Sequence, residues 1–506
     1  MTPHRTRWIR ALDVLLWLSA AWFVLVPLLF GRAIEIPLPL GGHISGSLTQ
    51  SNLLVFWALL LARLGLAGSA NEQRAGAGLS VGTEGLLIGA ACLVIYLACS
   101  QDRVWPSGDT IPTKLVPISL LEEGNLDLNE FVRGIPFDRR YGLYWTEGRA
   151  FSAYPPAPAL VALPVYSVFR VLAPAAFRSW REAYSIPGGD DLPNVANLME
   201  QISAALIAAL AAVAFWRLCL RVTGGDRRAS RWFTVALALG TPLMSTASQA
   251  LWQNGPACLF IVLMFYLLLP ASEARGSGPW FAAGLCGGLA CACRPTAALV
   301  AGFAFLWVLA HHPRRAAWFL APAGAVAAAF MLWNYRVFGN VAGGGYGQNL
   351  HLFTAFDARV LWVHLFSPSR GLFAFSPFLL FAAVLGGRQA AREPLSLASF
   401  GLYGALATAV LFSCWTTWSG GVAFGPRYLT EAALLLAMAL PAGFRVLAGR
   451  RWARIAFVLA VLFSCHLHIM GARHGDGGWT NRVFKGDDLP SMWDVRHSQL
   501  VGTLLR

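Results

Sequence analysis

Long apolar segments recur along almost the whole chain, and short polar or basic segments separate them. Many of these apolar segments are long enough to cross a hydrocarbon layer of about 30 Å as a helix. The pattern therefore predicts an all-α, polytopic membrane protein with about thirteen transmembrane helices. We expect them at residues 11–30, 51–67, 85–99, 197–219, 231–248, 252–270, 277–293, 296–311, 316–334, 371–386, 395–414, 429–447 and 453–471.

Two connecting segments, residues 100–196 and 334–370, are much longer than the others, and long connections are commonly functional. In the first, "TIPTKLVPISLLEEG" predicts an amphipathic helix that lies on the bilayer, with Glu122 and Glu123 on its wet face. The later part, residues 157–173, carries several prolines and Arg170. These residues favour a second interfacial helix over a further membrane crossing.

Composition and charge fix the class of protein and its orientation. Hydrophobic residues make up 57% of the 506 residues, which excludes a soluble enzyme with a single membrane anchor. The net charge of +14 comes mainly from Arg clusters between apolar segments. With a cytoplasmic N-terminus these clusters fall on the cytoplasmic side, as the positive-inside rule requires. The charge therefore indicates topology and not nucleic-acid binding, and both long connections and the C-terminal tail are expected on the outer side.

Metal-ligating residues form no recognisable pattern. The nine cysteines lie in or beside the apolar segments, where they are expected as small buried hydrophobes. The tail after residue 471 contains His and Asp residues, but their spacing favours a capping tail over a metal site. We expect no cofactor, although the sequence does not exclude a divalent metal.

Asp109 is the first candidate for chemistry, in "SGDT" at the mouth of the first long connection. A carboxylate at the membrane surface can act as a general base toward a hydroxyl group. The alternative is that Asp109 caps the helix that follows, where Ser, Thr and Asp are common and Pro112 suits the first turn. Spacing alone favours the cap.

Arg294 is the second candidate, a guanidinium between two long apolar segments in "GGLACACRPTAALVAGF". Charges inside or at the edge of a membrane are costly and suggest function by default. The predicted topology places Arg294 on the same outer face as Asp109, where it could hold a phosphate with two hydrogen bonds. The alternative is an Arg that marks the end of a helix.

Other outer turns combine basic, amide and aromatic side chains. This mixture suits a sugar and an anionic lipid headgroup, whereas Trp and Tyr taken singly are typical of a membrane-anchoring belt. The candidate phosphate-binding residues are Lys114, Arg336 and Arg427. The candidate sugar- or acceptor-binding residues are Tyr154, Trp252, Gln253, Asn254, Tyr346, Arg370 and Trp418.

Taken in order, these segments resemble the membrane-embedded glycosyltransferases of the GT-C superfamily. This superfamily includes protein O-mannosyltransferases and the bacterial transferase that adds aminoarabinose to lipid A. Its acidic motif after an early helix is similar to Gly108-Asp109-Thr110, and its Tyr-Pro-Pro helix is similar to "AYPPAPALVALPVY". "GLACACRPTA" is similar to a helix end of the family, and "WNYRVFGN", "SPSRGLFAFSPFLL" and "GGVAFGPRYLTE" resemble a bacterial subgroup of unassigned substrate.

The resemblance implies a transferase that moves a sugar from a polyprenyl-phosphate carrier to a hydroxyl on a glycan, lipid or protein. It implies that Asp109 is the general base, that Arg294 with Lys114, Arg336 or Arg427 stabilises the departing phosphate, and that the reaction inverts the sugar carbon. Two departures stand out. Thr110 replaces the usual second acid, and "ALWQNG" lacks the carboxylate that many relatives carry there.

The resemblance also divides the chain. Residues 85–450 correspond to the catalytic transmembrane domain, residues 1–84 to two additional N-terminal helices, and residues 451–506 to the last helix and an outer tail. It implies a bacterial inner membrane, with the active site on the periplasmic side. Two other functions remain open: a glycan polymerase or ligase that uses a lipid diphosphate, and a flippase or transporter of lipid-linked sugars.

Overall fold

The computed structural model describes residues 35–37, 43–45, 80–100, 109–132, 142–178, 194–271, 276–343, 353, 355–475, 479 and 488–505. Within these ranges the fold is mostly helical, at 75%, with nineteen α-helices. Two short antiparallel hairpins are an exception to the predicted all-α class. They pair β1 (Glu35–Pro37) with β2 (His43–Ser45), and β3 (Leu143–Thr146) with β4 (Arg149–Ser152). The predicted helices 11–30 and 51–67 lie outside the described residues.

The helices follow the predicted order. The first ten are α1 (Val81–Ala98), α2 (Ile111–Glu122), α3 (Ala157–Leu172), α4 (Pro174–Arg178), α5 (Asn194–Val222), α6 (Arg227–Leu239), α7 (Asn254–Ala271), α8 (Gly278–Cys293), α9 (Ala298–His311) and α10 (Ala316–Phe338). The others are α11 (Ala358–Phe366), α12 (Leu372–Phe375), α13 (Phe378–Arg392), α14 (Leu397–Ser413), α15 (Thr430–Ala437), α16 (Phe444–Gly449), α17 (Arg451–His474), α18 (Leu489–Trp493) and α19 (Gln499–Leu504).

Four described helices are long and apolar enough to cross a membrane by themselves: Val81–Ala98, Val195–Val222, Pro313–Phe338 and Arg451–His474. Five shorter apolar helices of 10–17 residues accompany them, among them α3, α7 and α8. A 16-residue helix such as α3 spans only about 24 Å, since each residue adds about 1.5 Å. The structure therefore supports a multi-pass helical membrane protein, with fewer full-length spans among the described residues than the thirteen predicted.

Three of the predicted helices are interrupted in the structure, and each interruption contains a proline. The predicted helices are 231–248, 371–386 and 429–447, and the prolines are Pro242, Pro377 and Pro441. Proline has no backbone N–H, and its ring restricts the preceding residue and clashes with the previous helical turn. The apolar pattern continued across these prolines, so the pattern alone predicted helices that were too long.

The core of the bundle depends on a close approach between α8 and α10. At Gly284 of α8, an added Cβ would lie 2.0 Å from the backbone oxygen of Phe319 in α10. Small residues at helix interfaces allow this approach in membrane proteins, where dispersion contacts contribute much of the packing energy. Glycine is therefore required at this position by the packing of the two backbones.

Helix α2 differs from its prediction. Residues 112–119 are all buried, because α3, α5 and β4 pack against the helix. The expectation of an amphipathic helix with one wet face was therefore wrong for this part of α2. Glu122, near its end, pairs with Arg170 of α3 at 3.3 Å, so the two predicted interfacial helices are joined to each other.

The two ends of α1 have different environments. Near its start, Glu84 accepts hydrogen bonds from Arg227 at 3.0 Å and from Arg231 at 2.7 Å. Beyond its other end, the Ser100 carbonyl accepts a hydrogen bond from Arg473 in the last turn of α17. The segment that leads to Asp109 begins at this second end. The basic turn after α5 and the first long connection therefore lie at opposite ends of α1.

Candidate active site

The Asp109 carboxylate is held by two side chains from distant parts of the chain. Its Oδ1 accepts a hydrogen bond of 2.7 Å from the Tyr154 hydroxyl, and its Oδ2 accepts one of 3.0 Å from Nη1 of Arg427. The Asp109 side chain is 22% exposed. The residue at the N-cap of α2 is Thr110, whose side chain makes no capping hydrogen bond. The carboxylate is thus oriented by a phenol and a guanidinium, and the helix cap is a different residue.

Arg427 lies in a short 3₁₀ helix, Arg427–Leu429, just before α15. Its guanidinium carbon lies 4.5 Å from the ring centre of Trp252 and 5.2 Å from that of Tyr428. Burial lowers the pKa of Arg427, but Asp109 and Tyr428 more than offset this effect, so the pKa lies above its usual value. Arg427 is therefore a fixed cation with two aromatic faces and one carboxylate around it.

The backbone of this segment is anchored by Asn254 at the start of α7. Its side-chain amide donates to the Thr430 hydroxyl at 2.9 Å and to the Arg427 carbonyl at 3.4 Å. Thr430 itself donates to the same carbonyl at 2.6 Å. Three sequence-predicted residues, Asn254, Trp252 and Arg427, thus meet at one place, because the turn before α7 packs on the turn before α15.

Arg294 does not contact Asp109. Its guanidinium forms a buried ion pair with Glu431, in the first turn of α15, and lies 5.0 Å from the ring centre of Phe412. Glu431 follows Arg427 by four positions. The two predicted residues, Arg294 and Asp109, are therefore linked through the two ends of one short segment, residues 427–431.

Lys114 is fully buried in the first turn of α2 and is also paired. Its ammonium lies 2.6 Å from Glu200 and donates to the Asn197 side chain at 3.0 Å, both in α5. Glu200 in turn accepts a hydrogen bond from the backbone N–H of Leu251, next to Trp252. A buried charge needs such compensation to remain ionised. Lys114 thus joins α2, α5 and the turn before α7.

Two other predicted residues, Arg370 and Trp418, lie close to Arg427. Both line, with Arg427 and His364, a small pocket. The pocket borders the segment 425–429. The Arg370 guanidinium is directed into the protein, where it donates to the carbonyls of Ala423 at 2.6 Å and Gly421 at 2.8 Å.

The remaining predicted residues are less informative. Gln253 is half-buried beside Trp252, in the turn before α7. Arg336 is exposed near the end of α10, and within the described part of the chain no ion pair joins it to Asp109. Tyr346 lies outside the described residues.

Sequence reasoning missed the buried partners Glu431, Glu200 and Asn197. Glu431 stands at the start of the apolar segment "TEAALLLAMAL", and Glu200 stands in "NLMEQISAAL". An acid within an apolar helix is costly and implies a partner, so the rule that drew attention to Arg294 applied to both. Asn197 offered no comparable signal.

Residues 196–335 match the family described as dolichyl-phosphate-mannose-protein mannosyltransferase. The match confirms the resemblance to the GT-C superfamily. It covers Glu200, Trp252, Asn254 and Arg294, and it ends before Arg427. No curated protein and no solved structure matches the chain significantly. Residues 196–335 are therefore similar to a family of glycosyltransferases whose name implies a sugar on a lipid phosphate as donor.

Proposed function

We propose that this protein, whose residues 196–335 match the dolichyl-phosphate-mannose-protein mannosyltransferase family, is a glycosyltransferase that moves a sugar from a polyprenyl phosphate to a hydroxyl acceptor with inversion. The acceptor is a glycan, lipid or protein. The observation that carries the proposal is the partly exposed ion pair of Asp109 and Arg427, which unites a base and a phosphate-binding cation in one place.

Asp109 is the general base in this mechanism. Its oxygens accept hydrogen bonds from Tyr154 and Arg427, and a carboxylate, with about four lone-pair sites, can also accept the hydrogen of an incoming hydroxyl. The acceptor oxygen attacks the sugar carbon as the bond to the phosphate oxygen breaks, and Asp109 takes the acceptor proton. A single attack through an oxocarbenium-like state inverts the carbon.

Arg427 stabilises the departing phosphate. A guanidinium matches the geometry of phosphate oxygens, and a largely buried one stabilises them more strongly than an exposed one because the local dielectric is lower. It also touches Asp109, so one cation contacts both the base and the leaving group. We assign Arg294 and Lys114 to positioning, since each already has a buried carboxylate partner.

The aromatic residues around Arg427 form the sugar site in our proposal. Trp252 packs against its guanidinium and Tyr154 fixes Asp109, so both flank the space next to the ion pair. Trp418 lines the pocket on the side of His364. Apolar ring faces with a few fixed polar groups are typical of sites for sugars and other small ligands.

We further propose that this site faces the periplasm and that residues 85–450 form the catalytic domain. The different surroundings of the two ends of α1 support this orientation. The cluster of Arg227 and Arg231 lies at the end opposite to the segment that leads to Asp109. The positive-inside rule assigns such a basic end to the cytoplasm, which leaves Asp109 on the outer side.

The test is Asp109→Asn in purified protein, reconstituted in liposomes with polyprenyl-phosphate sugars and candidate acceptors outside. We expect normal insertion and a loss of transfer of about 10²–10⁴-fold, the usual contribution of a general base. Asp357→Asn is the control, because Asp357 is a partly exposed carboxylate that pairs only with Arg359 among the described contacts. Near-normal turnover in Asp109→Asn would exclude this mechanism, and movement of the donor across the bilayer without transfer would favour a transporter.

A further inference from the structure

Gln499, in the last described helix, is buried and joins three parts of the protein. Its Oε1 accepts a hydrogen bond of 2.7 Å from the backbone N–H of Gly425 and one of 2.9 Å from the Arg370 guanidinium. Its Nε2 donates to the Ala423 carbonyl at 3.0 Å. Only 2% of the residue is exposed. All the polar atoms of the side chain are therefore directed at the loop 421–425 and its anchor Arg370.

The loop that Gln499 holds leads directly to Arg427. The carbonyl of Gly425 accepts a hydrogen bond of 3.0 Å from the backbone N–H of Arg427. Gly425 has a φ of +58°, which suits glycine. The one residue between Gly425 and Arg427 is Pro426, whose ring restricts the backbone further. The position of the Gly425 peptide thus determines where the Arg427 backbone begins.

Arg370 holds the same loop from the other side, and we call Gln499 and Arg370 together the clamp on the loop 421–425. Arg370 donates to the carbonyls of Gly421 and Ala423 and to Gln499, so the two side chains together satisfy both loop carbonyls. The backbone of α19 is tied to the same region, because the N–H of Leu500 donates to the Pro368 carbonyl at 3.1 Å. Helix α19 therefore contributes to the support of the candidate active site, although it lies more than 70 positions after Arg427.

We infer that Gln499 is a positioning residue of the transferase: through Gly425 and Arg370 it sets the Arg427 guanidinium against Asp109 and against the phosphate of the donor. This inference rests on the function proposed above. It also changes the interpretation of Arg370, which the sequence suggested as a sugar-binding residue. In the structure the Arg370 guanidinium donates two hydrogen bonds to carbonyls of the loop 421–425 and one to Gln499, all inside the protein.

The chemistry of the clamp distinguishes substitutions of similar size. Gln499→Met fills a similar volume but removes both the acceptor and the donor, so the Gly425 N–H and the Arg370 guanidinium lose their shared partner. Gln499→Glu keeps the acceptor oxygen for both, and adds a charge that pairs with Arg370. Its second oxygen replaces the donor to the Ala423 carbonyl and must turn away from that oxygen, while Arg370 still donates to it. Gln499→Glu should therefore rescue what Gln499→Met loses.

The experiment measures donor KM, acceptor KM, kcat and the pH dependence of kcat/KM for these variants. For Gln499→Met we expect a donor KM raised about tenfold, with an unchanged acceptor KM. The acidic limb of the pH profile should also move to higher pH, because a carboxylate whose cation is displaced holds its proton more tightly. Gln499→Glu should be close to the unmodified protein in both measurements.

Ser498→Ala is the matched control. Its hydroxyl caps the same helix by accepting a hydrogen bond of 3.2 Å from the Val501 N–H, so its loss weakens α19 without touching the clamp. We expect its donor KM and pH profile to be unchanged. If Gln499→Met does not fold, Gln499→Asn carries the test, since its shorter amide cannot reach all three partners.

The outcomes separate this inference from the proposed function. If Gln499→Met or Gln499→Asn reduces only the amount of folded protein, and leaves donor KM and the acidic limb unchanged, Gln499 does not position Arg427. That result would stand even if Asp109→Asn abolished transfer. If Asp109→Asn retained transfer, the proposed function itself would fail, whatever Gln499 does.

Discussion

Arg427 and Asp109 are 318 positions apart in the chain, yet Nη1 of the guanidinium lies 3.0 Å from Oδ2 of the carboxylate. The pair joins the start of the first long connection to the loop that follows α14. Neither residue is fully exposed, at 12% and 22% of their side chains. Among the described residues, this contact places a candidate base, Asp109, beside a candidate phosphate-binding residue, Arg427.

Arg427→Gln should therefore affect donor binding and the ionisation of the base together. Charge-assisted hydrogen bonds contribute about 1.5–3 kcal/mol, so we expect donor KM to rise by about 10–100-fold. The acidic limb of kcat/KM should move to higher pH. Arg427→Lys keeps the charge but not the planar fork. Its donor KM should therefore lie between those of the unmodified protein and Arg427→Gln.

Arg359→Gln is the control for that measurement, because Arg359 is a 77% exposed cation in the second long connection and pairs with Asp357. Surface ion pairs contribute little, so its kinetics should be unchanged. An Arg427→Gln protein that folds and keeps a normal donor KM would remove Arg427 from the phosphate site.

The ion pair of Arg294 and Glu431 gives a second prediction. Arg294→Gln leaves the Glu431 carboxylate buried without its cation, which should reduce the free energy of unfolding by about 3–5 kcal/mol. The double variant Arg294→Gln/Glu431→Gln removes both charges and should recover most of that loss. Thermal unfolding in detergent measures this directly.

The same double variant tests which role Arg294 has. If Arg294 positions the segment 427–431, the recovered protein should have a donor KM within a fewfold of normal. The GT-C resemblance implies instead that Arg294 binds the donor phosphate. A stable double variant with a donor KM raised tenfold or more would support that role and contradict our assignment.

The contact between α8 and α10 predicts the effect of Gly284→Ala. The new Cβ would lie 2.0 Å from the Phe319 oxygen, so the two helix backbones must separate. Overpacking of this kind costs about 1–3 kcal/mol. Gly302→Ala in α9 is the matched control, because a Cβ there has no neighbour within 4 Å and alanine favours the helix. Equal unfolding temperatures for the two variants would contradict the close approach.

The apolar pattern predicted most of the helices but could not predict the partners of the charged residues. It placed Asp109, Arg294 and Arg427 near the ends of helices, where the structure also has them, because charges are rare within apolar segments. The pairing of Arg427 with Asp109 depends on how the first long connection folds over the later loop. That fold is a tertiary property of residues more than 300 positions apart.

The sequence was least informative where polar groups are buried. The sequence predicts that α2 lies on the bilayer, since Leu115, Ile118 and Leu121 share one side and the charged residues lie elsewhere. Lys114 is nevertheless completely buried against Glu200, and the helix is covered on all sides through residue 119. The burial of Lys114 has no signature in hydrophobic periodicity, because this lysine alone has the pattern of a surface residue.

His364 gives a prediction about pH. It is buried beside the pocket, and its Nε2 donates to the Trp418 carbonyl at 3.1 Å. Burial lowers the pKa of His364 from 6.5 to about 4, an effect that the bond to Trp418 opposes and the charge of Arg370 reinforces. The folded protein therefore keeps this imidazole neutral at pH values where the unfolded chain is protonated.

Because the unfolded state binds more protons between about pH 6.5 and 4, stability should fall as the pH is lowered through this range, by at most about 1.4 kcal/mol per pH unit from His364. Below pH 4 both states are protonated at His364 and its contribution becomes constant. His364→Gln keeps a donor for the Trp418 carbonyl and has no proton to gain. The unfolding temperatures of the two proteins in detergent should therefore converge or cross between pH 7 and 4.5, whereas parallel curves would show that His364 is not held neutral by its burial.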